Sequence, residues 1–194
     1  MKNIIIDLKN TIIFTIIGAV LLCGLYPLIV TLLGHILFSY QANGSLITAK
    51  DGTILGSEII GQAFSDDQYF NSRPSAAGTG YDASNSSGTN LGPTSQKLRD
   101  SIKAAVDAYR KQNGLAADAP VPADAVTSSA SGLDPDISVK NAMLQAPRVA
   151  KTRKISLDSV NVLVQKYTEG RDLGLFGEPR VNVLKLNLAL DGKI

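Results

Sequence analysis

The residues able to do acid–base, nucleophilic or metal chemistry are few and unevenly placed. The chain has one His and one Cys, His35 and Cys23. Both fall between Asn10 and Ala49, a stretch without Lys, Arg, Asp or Glu. Residues 39–194 therefore hold neither an imidazole nor a thiol. That excludes Ser-His-Asp triads, Cys-His pairs and His- or Cys-ligated metals there. No Ser-x-x-Lys occurs, so a Ser-Lys hydrolase lacks its pair. Gly56-Ser-Glu-Ile-Ile-Gly61 has the glycine spacing of a phosphate loop. Gln62 and Ala63, however, stand where Lys and Ser or Thr must hold phosphate and Mg²⁺. Asp134 and Asp136 flank Pro135, a pattern that suits a turn entering a helix better than acid–base carboxylates or a calcium edge.

Two basic features remain. Arg73 follows the aromatic pair Tyr69-Phe70, and its planar fork suits a carboxylate. That carboxylate is either on another chain or in an internal salt bridge. Arg148, Lys151, Arg153 and Lys154 cluster around a short turn between two helical patterns. The spacing admits a DNA-binding helix-turn-helix, but a helical hairpin on a sheet with a solvated basic edge is the simpler expectation. A net charge of +2 over 194 residues gives no basic excess for nucleic acid.

Local patterns supply the elements that must position these side chains. Lys50-Asp51-Gly52 sits between Ser45–Ala49 and Thr53–Leu55 and predicts a hairpin. Residues 75–93, rich in Gly and Ser, predict a long loop. Leu98, Ile102, Val106 and Tyr109 form one apolar stripe, which predicts a helix from Pro93-Thr94 to Asn113-Gly114. Leu115–Ala125, rich in Ala, Pro and Asp, predicts a linker or a short turn of helix. Ser138 caps a second helix running to about Thr152, with Ala142, Ala146 and Val149 inward and a bend at Pro147. Ser156 caps a third, with Val160, Leu163, Val164 and Tyr167 inward and Gly170 at its end. Leu184, Leu186, Leu188 and Leu190 alternate with Lys185, Asn187 and Ala189, and this period of two predicts a terminal strand.

The N-terminal part obeys a different rule. Thr11–Phe38 is dominated by Ile, Leu, Val and Phe. As a helix it reaches roughly 42 Å, beyond the ~30 Å hydrocarbon core of a bilayer. A cleaved signal has an apolar region of only ~7–15 residues ending at a small-x-small site, so a retained single span is expected. Lys2 and Lys9 precede it, and no positive charge follows until Lys50. The positive-inside rule then puts residues 1–10 in the cytoplasm and 39–194 outside. Pro27 predicts a kink near Gly24–Pro27. Gly18, Gly24 and Gly34 allow close approach of partner helices. His35 is expected as an interfacial residue near the outer end. The fold class expected is α+β: one N-terminal transmembrane helix, then a single extracytoplasmic domain with a small antiparallel sheet and about three helices.

Several stretches together carry a resemblance. They are Ala42-Asn-Gly-Ser-Leu46, Ile60-Gly-Gln62, Tyr69-Phe-Asn-Ser-Arg-Pro-Ser-Ala-Ala77, Ser87-Gly-Thr-Asn-Leu-Gly-Pro93 with Asn90 at its centre, and Val126-Thr127. Ser131-Gly-Leu-Asp134, Arg148-Val-Ala150, Val181-Asn182 and Leu186-Asn-Leu-Ala-Leu-Asp191 complete the series. In this order, behind one apolar segment, the chain resembles the KdpC family, the small single-span subunit of the bacterial Kdp potassium-transporting P-type ATPase. The resemblance implies an accessory subunit of the bacterial cell membrane, without catalysis of its own. Its implied partners are a channel-like potassium-binding subunit and a P-type ATP-hydrolysing subunit. It implies roles in assembly and as a catalytic chaperone that raises the ATP affinity of the hydrolysing subunit. ATP is then met through that partner, and no cofactor is bound directly. The family's proposed nucleotide contact, centred on a glutamine, aligns with Tyr167-Thr-Glu-Gly-Arg171. Glu169 stands at the glutamine position, and Arg171 follows. Gly18, Gly24, Pro27, Gly34, Arg73 and Asn90 are the residues expected at partner contacts. The competing expectation is a membrane-tethered domain that binds a solute or peptide independently of any ATPase, with residues 75–93 as its lid.

Overall fold

The computed structural model describes residues 2–194. It contains two compact units, one ending at Leu46 and one spanning Ile47–Ile194.

The first unit is helical. α1 (Lys2–Ala19) passes into a π-helical stretch, Val20–Leu25, and then into α2 (Tyr26–Leu37). The break sits where Pro27 would otherwise drive its ring into the carbonyl of Cys23. Widening the turn avoids that clash: the N–H of Tyr26 reaches back five residues to the Leu21 carbonyl. A π-helical insert thus stands where the kink is expected. Ile4–Leu37 is long and apolar enough to cross a membrane, and none of its most apolar window is buried. A short α3 (Ser39–Ala42) follows.

The second unit is α+β. The expected hairpin is present as β1 (Leu46–Thr48) paired with β2 (Ile54–Ser57). Its turn is closed by Asp51, which accepts from the N–H of Thr53 at 2.9 Å, and by Gly52 at φ +84°. α4 (Gln96–Asn113) is capped by Ser95 and ended by Gly114 in the left-handed region. Its stripe of Leu98, Ile102 and Val106 is half-buried and leads to buried Tyr109. β3 (Asp136–Ser138) runs directly into α5 (Val139–Arg153), where Ser138 accepts from the N–H of Asn141. α6 (Leu157–Lys166) is capped by Ser156 in the same way. β4 (Thr168–Glu169), β5 (Arg180–Asn182) and α7 (Val183–Leu190) complete the chain. β5 lies between β3 and β4 in an antiparallel sheet, pairing Val181 with both Ile137 and Thr168.

The core lies where α5, α6 and α7 meet this sheet. Ala142, Ala146 and Val149 of α5 face Val160 and Val164 of α6, with Ile137, Val181, Val183 and Leu186 closing the other sides. The alanines keep α5 thin, so α6 packs closely against it.

One expectation is corrected. Val183–Leu190 is a helix, not a strand. Val183, Leu184, Leu186, Asn187 and Leu188 are all buried, so α7 is covered on nearly all sides. A helix buried all round can carry apolar residues at any spacing, and here the spacing imitated a strand. The domain consequently has four helices of eight residues or more, and Asn182 caps the last by accepting from the N–H of Lys185.

Candidate functional site

The irregular segment Asp67–Arg73 threads through the domain, with Phe70 fully buried. A buried backbone outside regular structure needs partners for its N–H and C=O groups. Here side chains supply them. Asn187 of α7 accepts from the Phe70 N–H at 2.8 Å and donates to the Phe70 carbonyl at 2.9 Å. Gln145 of α5 does the same for Asn71, at 2.7 and 3.1 Å. Each amide thus mimics a neighbouring strand. Arg148 of α5 donates through Nη1 to the carbonyls of Asp67 and Tyr69, through Nη2 to Asn71 and Gln145, and through Nε to Asn113 of α4. It is only 8% exposed. Burial pushes its pKa down from the ordinary guanidinium value, opposed chiefly by Asp67. Arg153 donates to the carbonyls of Gln68 and Leu190, pairs with Asp191 at 2.8 Å, and lies 4.8 Å over the Tyr69 ring.

The basic edge expected at the α5–α6 turn is solvated only in part: Lys151 and Lys154 are exposed, whereas Arg148 is an internal strut and Arg153 is a clamp. Asn141 extends the network, accepting from Tyr109 Oη at 2.8 Å and donating to Asp124 at 2.9 Å.

The charged residues singled out in the sequence gather on the neighbouring sheet. Glu169 stands directly opposite Arg180 across β4 and β5, and Asp136 lies diagonally across β3 and β5. Arg180 reaches Asp136 at 3.2 Å, Glu169 at 3.3 Å and Asp172 at 3.6 Å. Lys185 pairs with Glu58 and, at 3.3 Å, with Glu169. Burial alone would lower the Lys185 pKa, but the two carboxylates outweigh it and raise the value. Arg171 donates through Nη2 to both carboxylate oxygens of Glu178, each at 2.8 Å.

Arg73 bonds Asp134 at 2.7 Å, so its carboxylate is internal. The pair lines an open cleft of about 470 Å³ together with Asp124, Asp136, Glu178 and Arg180. Arg73 and the β4–β5 hairpin therefore meet at one place. Asn90 lies outside that lining, on the loop, at φ +52°. Gly18, Gly24 and Gly34 have open space where a side chain would stand, Gly24 within the π-helical stretch. His35 Nδ1 is bonded to the Thr31 carbonyl at 2.9 Å.

The loop 75–93 is irregular as expected, and it is pinned rather than hanging free. Ser75 donates to the Gly132 carbonyl at 2.6 Å, and the N–H of Ser87 donates to the Ser131 carbonyl at 3.0 Å. Gly132 has φ +68°, and a Cβ there would sit 2.5 Å from the Ser87 carbonyl oxygen. Only glycine fits this seam. Among the described residues, no group of three or more His, Cys, Asp or Glu is placed to hold a metal ion.

Asp136 is the titratable outlier of the cleft. Burial, then Asp134, push its carboxyl up to about 6, against the pull of Arg180. The folded value lies above that of a free carboxyl, so the native state binds this proton more tightly than the unfolded chain. The stabilisation it gives is therefore present in acid and lost as pH rises through about 6. Between pH 7.5 and 4.5 the wild-type chain should gain about 2 kcal/mol relative to Asp136→Asn. Parallel pH dependence of urea unfolding in the two proteins would refute this.

Sequence reasoning missed Asn141, Gln145, Arg148, Asn182 and Asn187 as structural polar residues. Their signal was weak: an amide or guanidinium on the apolar face of a helix or, for Asn182, at the end of a strand, most of them needing a partner far away in the chain.

The comparisons with known proteins agree with one another. The family model described as "KdpC: K+-transporting ATPase, c chain" matches residues 8–192. A protein of Mycobacterium tuberculosis (strain ATCC 25618 / H37Rv) named "Potassium-transporting ATPase KdpC subunit" is 52% identical over 190 residues, covering 98% of each chain. A protein of the same name from Koribacter versatilis is 51% identical over 187 residues, covering 96% of this chain and 94% of its own. One from Nitratidesulfovibrio vulgaris is 50% identical over 184 residues, covering 94% and 92%. The matched range takes in the apolar helix from residue 8, the threaded segment, the pinned loop and the β4–β5 hairpin, and the chain belongs to the KdpC family, the c chain of the K⁺-transporting ATPase.

Proposed function

We propose that this chain is the non-catalytic accessory subunit of an ATP-driven potassium-uptake pump in a bacterial cell membrane. The helix Ile4–Leu37 anchors it, the N-terminus is cytoplasmic, and the folded domain stands outside. Its partners are a channel-like potassium-binding subunit and a P-type ATP-hydrolysing subunit. The observation that carries this reading is the full-length family match on a domain without His or Cys. The lysine asymmetry across the apolar helix supports the orientation. Gly18, Gly24, Pro27 and Gly34 offer the helix's points of close approach to partner helices.

The same topology bears on the chaperone role. A domain outside the cell raises the partner's ATP affinity only indirectly, through the span and the assembled complex. Glu169 and Arg171 fit this indirect role, since their charged groups are engaged by Arg180, Lys185 and Glu178. Glu169→Gln is expected to leave the KM for ATP of the purified pump within about twofold of wild type. Removal of the whole chain should raise it by about tenfold or abolish activity. A large KM shift in Glu169→Gln alone would instead favour direct nucleotide contact.

The reading as a whole is tested by deletion and rescue. A strain lacking this chain should fail to grow at micromolar potassium and recover when it is restored. Normal growth of the deletion strain would defeat the proposal.

A further inference from the structure

The π-helical stretch leaves a backbone group unserved inside the apolar helix. Pro27 has no N–H, so the Cys23 carbonyl loses its α-helical donor and the Leu22 carbonyl loses its π-helical one. Cys23 stays within reach of the N–H of Leu28, five residues on. Leu22 has no such recourse, because its remaining backbone donor, the N–H of Tyr26, bonds the Leu21 carbonyl instead. One turn along the helix stands the hydroxyl of Tyr26, which is 63% exposed. Among the described residues, no side chain bonds either the Leu22 carbonyl or that hydroxyl. Both groups lie beside the middle of Ile4–Leu37, the segment able to cross a membrane. Thr15, Gly18, Leu22 and Tyr26 recur at intervals of three and four residues and so share one face of the helix. Gly18 has open space where a side chain would stand.

We infer that the Leu22 carbonyl and the Tyr26 hydroxyl form a polar dock at the middle of the membrane for a transmembrane helix of another pump subunit. That helix brings a side chain with both a donor and an acceptor: Ser, Thr, Asn or Gln. The inference rests on the subunit reading above and names the bonds that hold the span. Its occupant follows from chemistry, since whatever covers a bare acceptor in hydrocarbon must donate a hydrogen bond. Lipid tails have no donor, and the hydrocarbon core has no water to take their place. A second copy is disfavoured by symmetry. In a two-fold pair the same patch meets itself. A close crossing of that kind uses small residues four apart, and the positions four to either side of Gly18 are Phe14 and Leu22. Phe14 is 80% and Leu22 70% exposed, so two copies would set bulk against bulk. A different helix can bring small residues opposite both, and Gly18 between them admits its backbone. By withholding its N–H, Pro27 keeps an acceptor free for the partner.

The test uses the intact complex, purified in mild detergent through a tag on the ATP-hydrolysing subunit. Pro27→Ala returns the missing N–H, so every carbonyl of a regular helix finds its donor within the span. Tyr26→Phe removes the hydroxyl. Both changes suit the helix better to lipid, so the double variant should reach the membrane at the wild-type level. The amount of it retained in the complex after washing should fall at least tenfold. Retention within twofold of wild type would overturn the dock and leave the subunit reading standing. Failure of even the wild-type chain to co-purify would overturn both. A photo-crosslinking amino acid at Leu22 keeps the carbonyl in place and supplies a measurement independent of the variants. Crosslinks to a transmembrane helix of a larger subunit, beside a Ser, Thr, Asn or Gln, support the dock. Crosslinks to lipid or to a second copy refute it.

Discussion

Replacing Arg148 by methionine should cost the folded domain about 3–5 kcal/mol, the largest loss expected from any single side chain here. Methionine matches the stem of arginine and can fill much of its volume, so packing is not the main loss. What disappears is five donors. The carbonyls of Asp67 and Tyr69, and the side-chain oxygens of Asn71, Asn113 and Gln145, are left in a buried site with fewer partners or none. Each buried acceptor without a partner costs about 1–3 kcal/mol, and several are stranded at once. Lysine retains the charge but has three rotatable donors in place of a planar fork of five, so Arg148→Lys should recover less than half of the loss. Since a domain of this size has only about 5–15 kcal/mol in total, the methionine variant should show a sharply lowered melting temperature. Near-ultraviolet circular dichroism of the tyrosines, in a chain without Trp, reports it. A shift of less than a few degrees would mean that the threaded segment is held by something other than Arg148.

The second large effect concerns Asn187. Counted by hydrophobicity alone, Asn187→Leu should stabilise the protein, because it places an apolar side chain in an apolar helix that is already buried. The structure predicts the opposite, a loss of about 2–4 kcal/mol. The amide of Asn187 satisfies both backbone groups of Phe70, and leucine satisfies neither. Phe70 would keep its ring in the core only by leaving a buried N–H and C=O unpaired, or would withdraw and leave a cavity. Urea unfolding of the two proteins decides it: a midpoint equal to or above wild type for the leucine variant would contradict the strand-mimic role of Asn187.

These two residues also show where sequence reasoning ran out. Helix boundaries were legible because their signals are local. Ser95, Ser138 and Ser156 cap within three residues, and Gly114 ends α4 one residue past its last turn. The hairpin at Asp51-Gly52 was legible for the same reason. Arg148 was not, because its carbonyl partners at Asp67 and Tyr69 lie 81 and 79 residues away in the chain. Local pattern placed it in a basic run, and only the fold turns it inward. α7 was misjudged because full burial removes the wet face that gives a helix its period. The candidate site was half visible. Arg73 and Asp134 stand out in the sequence as separate features, yet their pairing, and the meeting of both with the β4–β5 hairpin, need the fold.

A common thread links the threaded segment, the pinned loop and the charged sheet. Each uses its polar side chains to hold backbone or to neutralise a neighbour. Arg148, Arg153, Lys185 and Arg180 are all engaged inside the domain.

The most direct test is purification of the full chain, tagged and extracted in mild detergent from potassium-starved cells. The account predicts that two larger membrane proteins accompany it in fixed ratio, that potassium-stimulated ATP hydrolysis travels with the assembly, and that the chain freed of its partners hydrolyses nothing. A chain that emerges alone, or that turns over ATP by itself, would contradict it.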